Sequence, residues 1–213
     1  MQDFTEPWST GLRMKPMHIV PILILFAAST PAFANCNSDA AAVETAVASA
    51  DGYRELQSIT DKDGKIKTFV LDFKNKDRMR LSQLDLSGEA GVGVFIGNRF
   101  WDRDRSGKFI ENTSSSAVGI AQGMIKGKRF RIGSKNSEVR CSIVSGDFGA
   151  QLEKFDWTQK EKSFSITYQV WAGIDSHLPV RSTWDYKGRP DIADSMANSL
   201  FLFSDAFTIA EPN

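Results

Sequence analysis

The sequence is poor in residues that do chemistry. Only two histidines occur in 213 residues, His18 and His177, and His18 lies in a stretch read below as removed. That leaves little for a catalytic triad or a histidine-based metal site. Two cysteines, Cys36 and Cys141, cannot form a zinc cluster by themselves, and there is no CxxC pair for thiol chemistry. Net charge is absent: 26 basic residues balance 26 acidic ones, with no long basic run. A nucleic-acid-binding protein needs an electrostatic footprint that is missing here. Proline is absent between Asn35 and Leu178, which suits extended strands that use every backbone N–H. No apolar run reaches the roughly 20 residues of a membrane-spanning helix. Aromatic residues, by contrast, are plentiful at 11%, with fifteen Phe and five Trp. That excludes a disordered chain and supplies a core for one domain.

The run Ile19–Ala28, IVPILILFAA, follows Arg13 and Lys15 and precedes the small-x-small site Ala32-Phe33-Ala34. These are the three regions of a secretory signal peptide. Residues 1–34 are therefore expected to be removed by cleavage after Ala34, leaving residues 35–213 as a single periplasmic domain. Asp3, Glu6 and Trp8 are unusual in a signal head, and Met14 gives a more ordinary start. Lipid attachment at Cys36 wants a small preceding residue, and Asn35 stands there. In an oxidising compartment an even number of cysteines points to a Cys36–Cys141 disulfide, the alternative being two unpaired thiols.

Beyond Asn35 the pattern opens with a helix. The cap cluster Asn37-Ser38-Asp39 precedes an Ala-rich run ended by Asp51-Gly52. The period then changes to two. Strands are expected at 53–60, 65–73, 78–86, 91–96, 99–102, 108–112, 138–144, 151–158, 163–171, 179–186 and 195–203, with 207–210 as a further short piece. Between the sixth and seventh, Ser114-Ser115-Ser116 starts a second helix reaching Lys126, with Val118, Ala121, Met124 and Ile125 at helical spacing. The expected class is α+β: one strongly curved antiparallel sheet, an incomplete barrel of about eleven strands, whose concave apolar face is covered by the two helices. The second helix is a cover or lid.

Few candidate sites carry chemistry. Asp102-Arg-Asp104-Arg-Ser106-Gly107 resembles the start of a calcium loop, but Thr113 occupies the position of its bidentate glutamate. It reads as a charged hairpin end. His177, in IDSHLP, reads as an exposed loop residue. Lys126, Lys128, Arg129 and Arg131 form a basic cluster, either a solvated edge or a surface for an acidic partner. No metal, cofactor or catalytic residue is expected. The strongest signal is the apolar surface that a curved sheet turns inward: Phe69, Leu71, Phe73, Met79, Leu81, Trp101, Phe164, Ile166, Tyr168, Val170, Val180 and Trp184. These would contact a hydrophobic ligand. Periodicity alone does not tell a hollow interior from a filled one.

KNKDRMRLSQ followed by VGVFIGNRFWDRDRSGKF resembles the "P-x-x-h-R … h-G-x-x-h-W" passage of periplasmic lipoprotein-carrier-like (LolA-like) proteins. YQVWAGIDSHLPVRSTWDY is similar to their "V-W-h-D … G-L-P-h-R" strand pair, and FLFSDAFTIAEP to their closing "h-x-Y-S-D-F … h-x-x-P". The resemblance implies an incomplete barrel around a hydrophobic cavity that binds acyl chains or other lipids in the periplasm. It matches Trp101 to the hairpin Trp, Trp171 to the "V-W" Trp, Leu178-Pro179 to the "L-P" turn, and Arg80 to a strand Arg that helps control the lid. Ser176-His177 replaces the usual small-Gly turn, Asn75-Lys76 replaces "N-P", and the cysteine pair is not part of the pattern. These departures bear on the carrier role more than on the fold.

The expected function is non-enzymatic binding of a lipid, acyl chain or other hydrophobic ligand, with a membrane or lipoprotein partner and no nucleic acid. The competing expectation is an envelope interaction or sensor module with a filled core, acting through its convex face or the Lys126–Arg131 cluster.

Overall fold

The computed structural model describes residues 35–61, 63–86, 88–127, 129–130, 132, 138–188 and 195–212. The expected signal peptide, its cleavage site and the alternative start lie outside the described residues, as do Lys128 and Arg131 of the basic cluster.

Helix α1 (Cys36–Ser49) buries Ala40, Val43 and Val47, which recur on one face of the helix. Strands β1 (Gly52–Thr60), β2 (Ile66–Lys74), β3 (Arg78–Asp85), β4 (Gly88–Ile96), β5 (Arg99–Arg103) and β6 (Phe109–Glu111) follow. Helix α2 (Ser115–Lys126) leads to β7 (Arg140–Ser145), β8 (Gln151–Lys160), β9 (Ser165–Gly173), β10 (Pro179–Lys187) and β11 (Ser195–Phe203). All eleven strands form one antiparallel sheet in the order β6-β5-β4-β3-β2-β1-β11-β10-β9-β8-β7. The sheet does not close, since β6 and β7 stand at its two edges. It is the α+β half-barrel the alternation predicts.

Register sorts the side chains. Tyr53 opposes Phe203 and Phe73, Phe73 opposes Met79, Met79 opposes Phe95, and Phe95 opposes Phe100. On the other half, Ala197 opposes Trp184, Trp184 opposes Tyr168, and Tyr168 opposes Trp157. These residues share the concave face, and all but Ala197 pack with Ala40, Val43 and Val47 of α1 and Ala121 of α2 in one core. Their rings stack: Tyr53 on Phe73 at 4.5 Å and Trp157 on Tyr168 at 5.0 Å.

The convex face is held differently. Arg54 makes a bidentate pair with Asp72 across β1 and β2, at 2.6 and 3.0 Å. Residues 207–210, expected to add a strand, instead form an irregular strap across this face. Arg78 donates to the Ile209 carbonyl at 3.0 Å, Arg99 pairs with Glu211 at 3.0 Å, and Ile209 packs on Val92 and Val94. Side chains rather than a neighbouring strand satisfy the carbonyls of Asp205 and Ile209.

Two turns explain departures from the carrier-like motif. Asn75 and Lys76 both have positive φ, 53° and 57°, inside the three-residue turn 75–77 that joins Lys74 to its partner Arg78. Proline cannot reach that conformation, so this turn is built differently from an "N-P" turn. His177, φ 53°, takes the left-handed conformation that glycine adopts freely.

Cys36 and Cys141 form the expected disulfide, with Cα atoms 5.5 Å apart. It ties the first residue of α1 to the edge strand β7. The chain-entropy model puts the effect of a loop this long at about 4–5 kcal/mol. Cys141→Ser should therefore melt well below the wild type under oxidising conditions, and reductant should lower the wild type while leaving the variant unmoved. Equal melting of the two oxidised proteins would refute a stabilising bridge.

Close to that bridge, Glu153 is buried on β8. Burial raises its pKa above the ordinary carboxyl value; Asp39 pushes the same way and His177 pulls back. A carboxyl with a raised folded pKa favours the folded state most below its unfolded pKa, and that contribution fades as pH rises through the folded value. Glu153→Gln should thus gain stability relative to wild type between about pH 4 and about pH 7. Urea unfolding at both pH values checks this; a constant difference between the two proteins counts against it.

Candidate ligand-binding cavity

Between α2 and the middle of the sheet lies a cavity of about 470 Å³. A second, of about 290 Å³, sits beside it, between the α1 C-terminus, Tyr53, Phe73 and the end of α2. Met124, Gly127 and Arg129 line both and divide them. The larger volume is within the ~300–1,000 Å³ usual for small-molecule pockets.

The expected ligand-contacting residues divide into four groups. Ile166, Tyr168 and Trp184 line the larger cavity, and Phe73 lines the smaller. Leu71, Met79 and Val170 are buried in the core beneath, with Phe69 and Leu81 packed against it. Phe164 stacks on Tyr186 at 5.2 Å, behind the cavity wall. Trp101 and Val180 do not line it. Trp101 opposes Val94 and lies on the convex face with Arg99 stacked over its ring at 4.6 Å. Phe100, its neighbour, takes the concave side, because successive strand residues point to opposite faces. Val180 falls where the register between β9 and β10 slips, and it is exposed. Of the lid residues, Met124 and Ile125 line cavity walls, while Val118 and Ala121 pack into the core.

Arg80 also departs from what the resemblance implied. It opposes Val94 and Asp72 on the convex face, away from α2, and pairs with Glu89 at 2.8 Å. The cation that reaches under the lid is Arg129, a member of the basic cluster expected to be either a solvated edge or a surface for an acidic partner. It turns inward and pairs with Glu55, a β1 carboxylate with no exposed surface. Gln57 donates to the same carboxylate at 3.2 Å and contacts the Ser199 hydroxyl at 3.4 Å. One residue further on, the Phe130 N–H donates to Glu44 of α1 at 2.9 Å. The crossover after α2 is thus pinned to both β1 and α1.

These groups are electrically linked. Burial works most strongly against the Arg129 cation, but Glu55, Tyr53 and Glu44 together outweigh it and hold the guanidinium above its ordinary range. Burial pushes the Tyr53 phenol well above its usual value, with Arg129 pulling back. Among the described residues, no group of three or more His, Cys, Asp and Glu could hold a metal ion.

Polar residues Glu55, Gln57, Ser182, Ser199 and Arg129 were absent from the expected lining. Only the register brings the first four together on one face.

No family model matches the chain, and no curated protein sequence is detectably similar to it. Its fold does have solved counterparts. LppX, a lipoprotein of Mycobacterium tuberculosis, superposes with a TM-score of 0.56 at 12% identity, covering 82% of this chain and 98% of that one. LprF from Mycobacterium bovis gives 0.57 at 8% identity, over 83% and 96%. A LolA superfamily protein from Nitrosomonas europaea aligns over 79% and 91% at 8% identity, with a TM-score of 0.37. The chain shares the fold of LppX and LprF, and at 12% and 8% identity it is a divergent example of that fold.

The buried ion pair is open to a direct test. Arg129→Met leaves Glu55 buried and unpaired, which should cost about 3–5 kcal/mol. Adding Glu55→Gln should recover much of that loss. Chemical unfolding of wild type, both singles and the double measures the coupling; strictly additive losses would show that the two side chains do not depend on each other.

Proposed function

We propose that the chain is an exported, non-enzymatic protein that holds a lipid, acyl chain or similar hydrophobic ligand in its half-barrel, as a carrier or chaperone of the cell envelope. One observation carries the reading: a cavity of about 470 Å³ in the concave face of a LolA-like sheet, roofed by α2. Burying an acyl chain yields about 0.8 kcal/mol per methylene, so about ten methylenes offset most association costs. The signal-like N-terminus and the Cys36–Cys141 bridge both support export, with residues 35–213 as one mature domain after cleavage behind Ala34. The apolar ligand itself is delivered to or from a membrane or lipoprotein partner.

The competing interaction-module reading relied on a filled core and on the convex face or the Lys126–Arg131 cluster as a partner surface. Two cavities beneath α2 weigh against the first, and the Arg129–Glu55 pair weighs against the second.

Organic extraction of the purified mature protein, followed by mass spectrometry, tests the proposal. A lipid or other apolar molecule at near-stoichiometric level is expected, and a hydrophobic dye should bind the delipidated protein. Charged substitutions at Met124 and Ile125 together should abolish dye binding. Protein that is free of lipid and also silent to dyes would overturn the carrier reading.

A further inference from the structure

The larger cavity is not an apolar tube. Gln57, Ser199 and Ser182 are directly opposed in register across β1, β11 and β10. They form a polar strip over the three central strands, with Glu55 beside it. Glu55 is 0% exposed, Ser199 1% and Ser182 4%. Burying polar groups costs free energy unless hydrogen bonds compensate, so a chain-only ligand gains nothing from such a floor. Beside the strip, the Tyr186 ring lines the cavity at 9% exposure, and its hydroxyl has no hydrogen-bond partner among the described residues. Most of the remaining lining is apolar, Ile120, Met124, Phe130, Ile166 and Trp184, with Tyr168 among them.

Charge narrows the choice further. Among the described residues only Glu55 and Arg129 bring charge to this cavity, and they pair with each other. An anion drawn to Arg129 meets the Glu55 carboxylate already on it, and a cation drawn to Glu55 meets the guanidinium. A charged head would lose its water without gaining an uncompensated partner.

We infer that the ligand is an amphiphile with a neutral, hydrogen-bonding head, a hydroxyl, ester or amide, seated inward on the Gln57–Ser199–Ser182 floor, with its apolar body under α2. This rests on the reading that the cavity takes a lipid-like ligand. The serine hydroxyls and Tyr186 supply donors and acceptors to such a head. The apolar walls cover the first part of its chain.

Three probes with the same chain length separate the possibilities: monolauroylglycerol, ionised laurate and dodecyltrimethylammonium, each titrated below its micellar concentration against delipidated protein, with tryptophan fluorescence and calorimetry as readouts. The glycerol-headed probe should bind at least about tenfold tighter than either ion, and Ser182→Ala/Ser199→Ala should weaken that probe alone by about tenfold. Tyr186→Phe, which keeps the ring, serves as a second variant should the double one fail to fold, and should also weaken the neutral probe selectively. Equal or tighter binding of an ionic probe overturns the inference while leaving the carrier reading intact. So does unchanged binding of the neutral probe by the folded variants. If none of the three binds, the carrier reading falls and the inference falls with it.

Discussion

The architecture depends on one long-range pairing. Strand β1, the first, lies against β11, the last, from Tyr53 opposite Phe203 to Thr60 opposite Met196. Every other pairing in the sheet joins strands adjacent in sequence. The β1–β11 contact welds two meanders into one sheet and sends β6 and β7 to opposite edges. The segment between β6 and β7 must then travel from one edge to the other across a face. Helix α2 is on that segment, and its apolar stripe decides which face it crosses. The cover over the concave side is therefore a consequence of strand order, not an appendage to it.

Within that frame the Glu55–Arg129 pair acts as a pillar. Buried ion pairs are weak sources of net stability, because two charges must leave water, but breaking one is costly. What the pair supplies is position. It holds the backbone after α2 above β1 at one place, with Glu44 holding the next residue from the α1 side. An apolar contact could slide; an ion pair joined to Gln57 and Ser199 has one register. Space survives on both sides of the pillar because Met124, Gly127 and Arg129 stand between two cavities instead of collapsing into one filled layer.

The strands, both helices and the disulfide were legible from alternation, helical spacing and cysteine count, since each is a local or compositional signal. The lining of the site was legible only in part. In Phe100-Trp101 two adjacent aromatics must point to opposite faces, and alternation does not say which face the helices cover. Phe100 went inward, and Trp101 went outward beneath the Arg99 guanidinium. Val180 escaped its face because of a register slip, which no single-strand pattern records. Arg129 sits among other cations in KGKRFR, and its partner lies 74 residues away. The polar floor is likewise a property of three strands in register. Tyr53, Glu55, Gln57 and Ile59 taken alone form an unremarkable mixed face.

An open sheet also has two unpaired edges, each a template for unwanted pairing. Here they are protected in different ways. Strand β6 has three residues, too few to recruit a partner strand. Strand β7 is longer, and the disulfide ties it to the start of α1 through Cys141. The bridge thus does more than restrict the unfolded chain: it holds the more vulnerable edge in place beside the core. Closing the sheet into a barrel would remove both edges; this sheet instead keeps them and carries α2 over its concave face. A short edge at one end and a stapled edge at the other let the sheet stay open, and α2, on the segment that runs from one edge to the other, roofs the cavity above Gln57, Ser182 and Ser199.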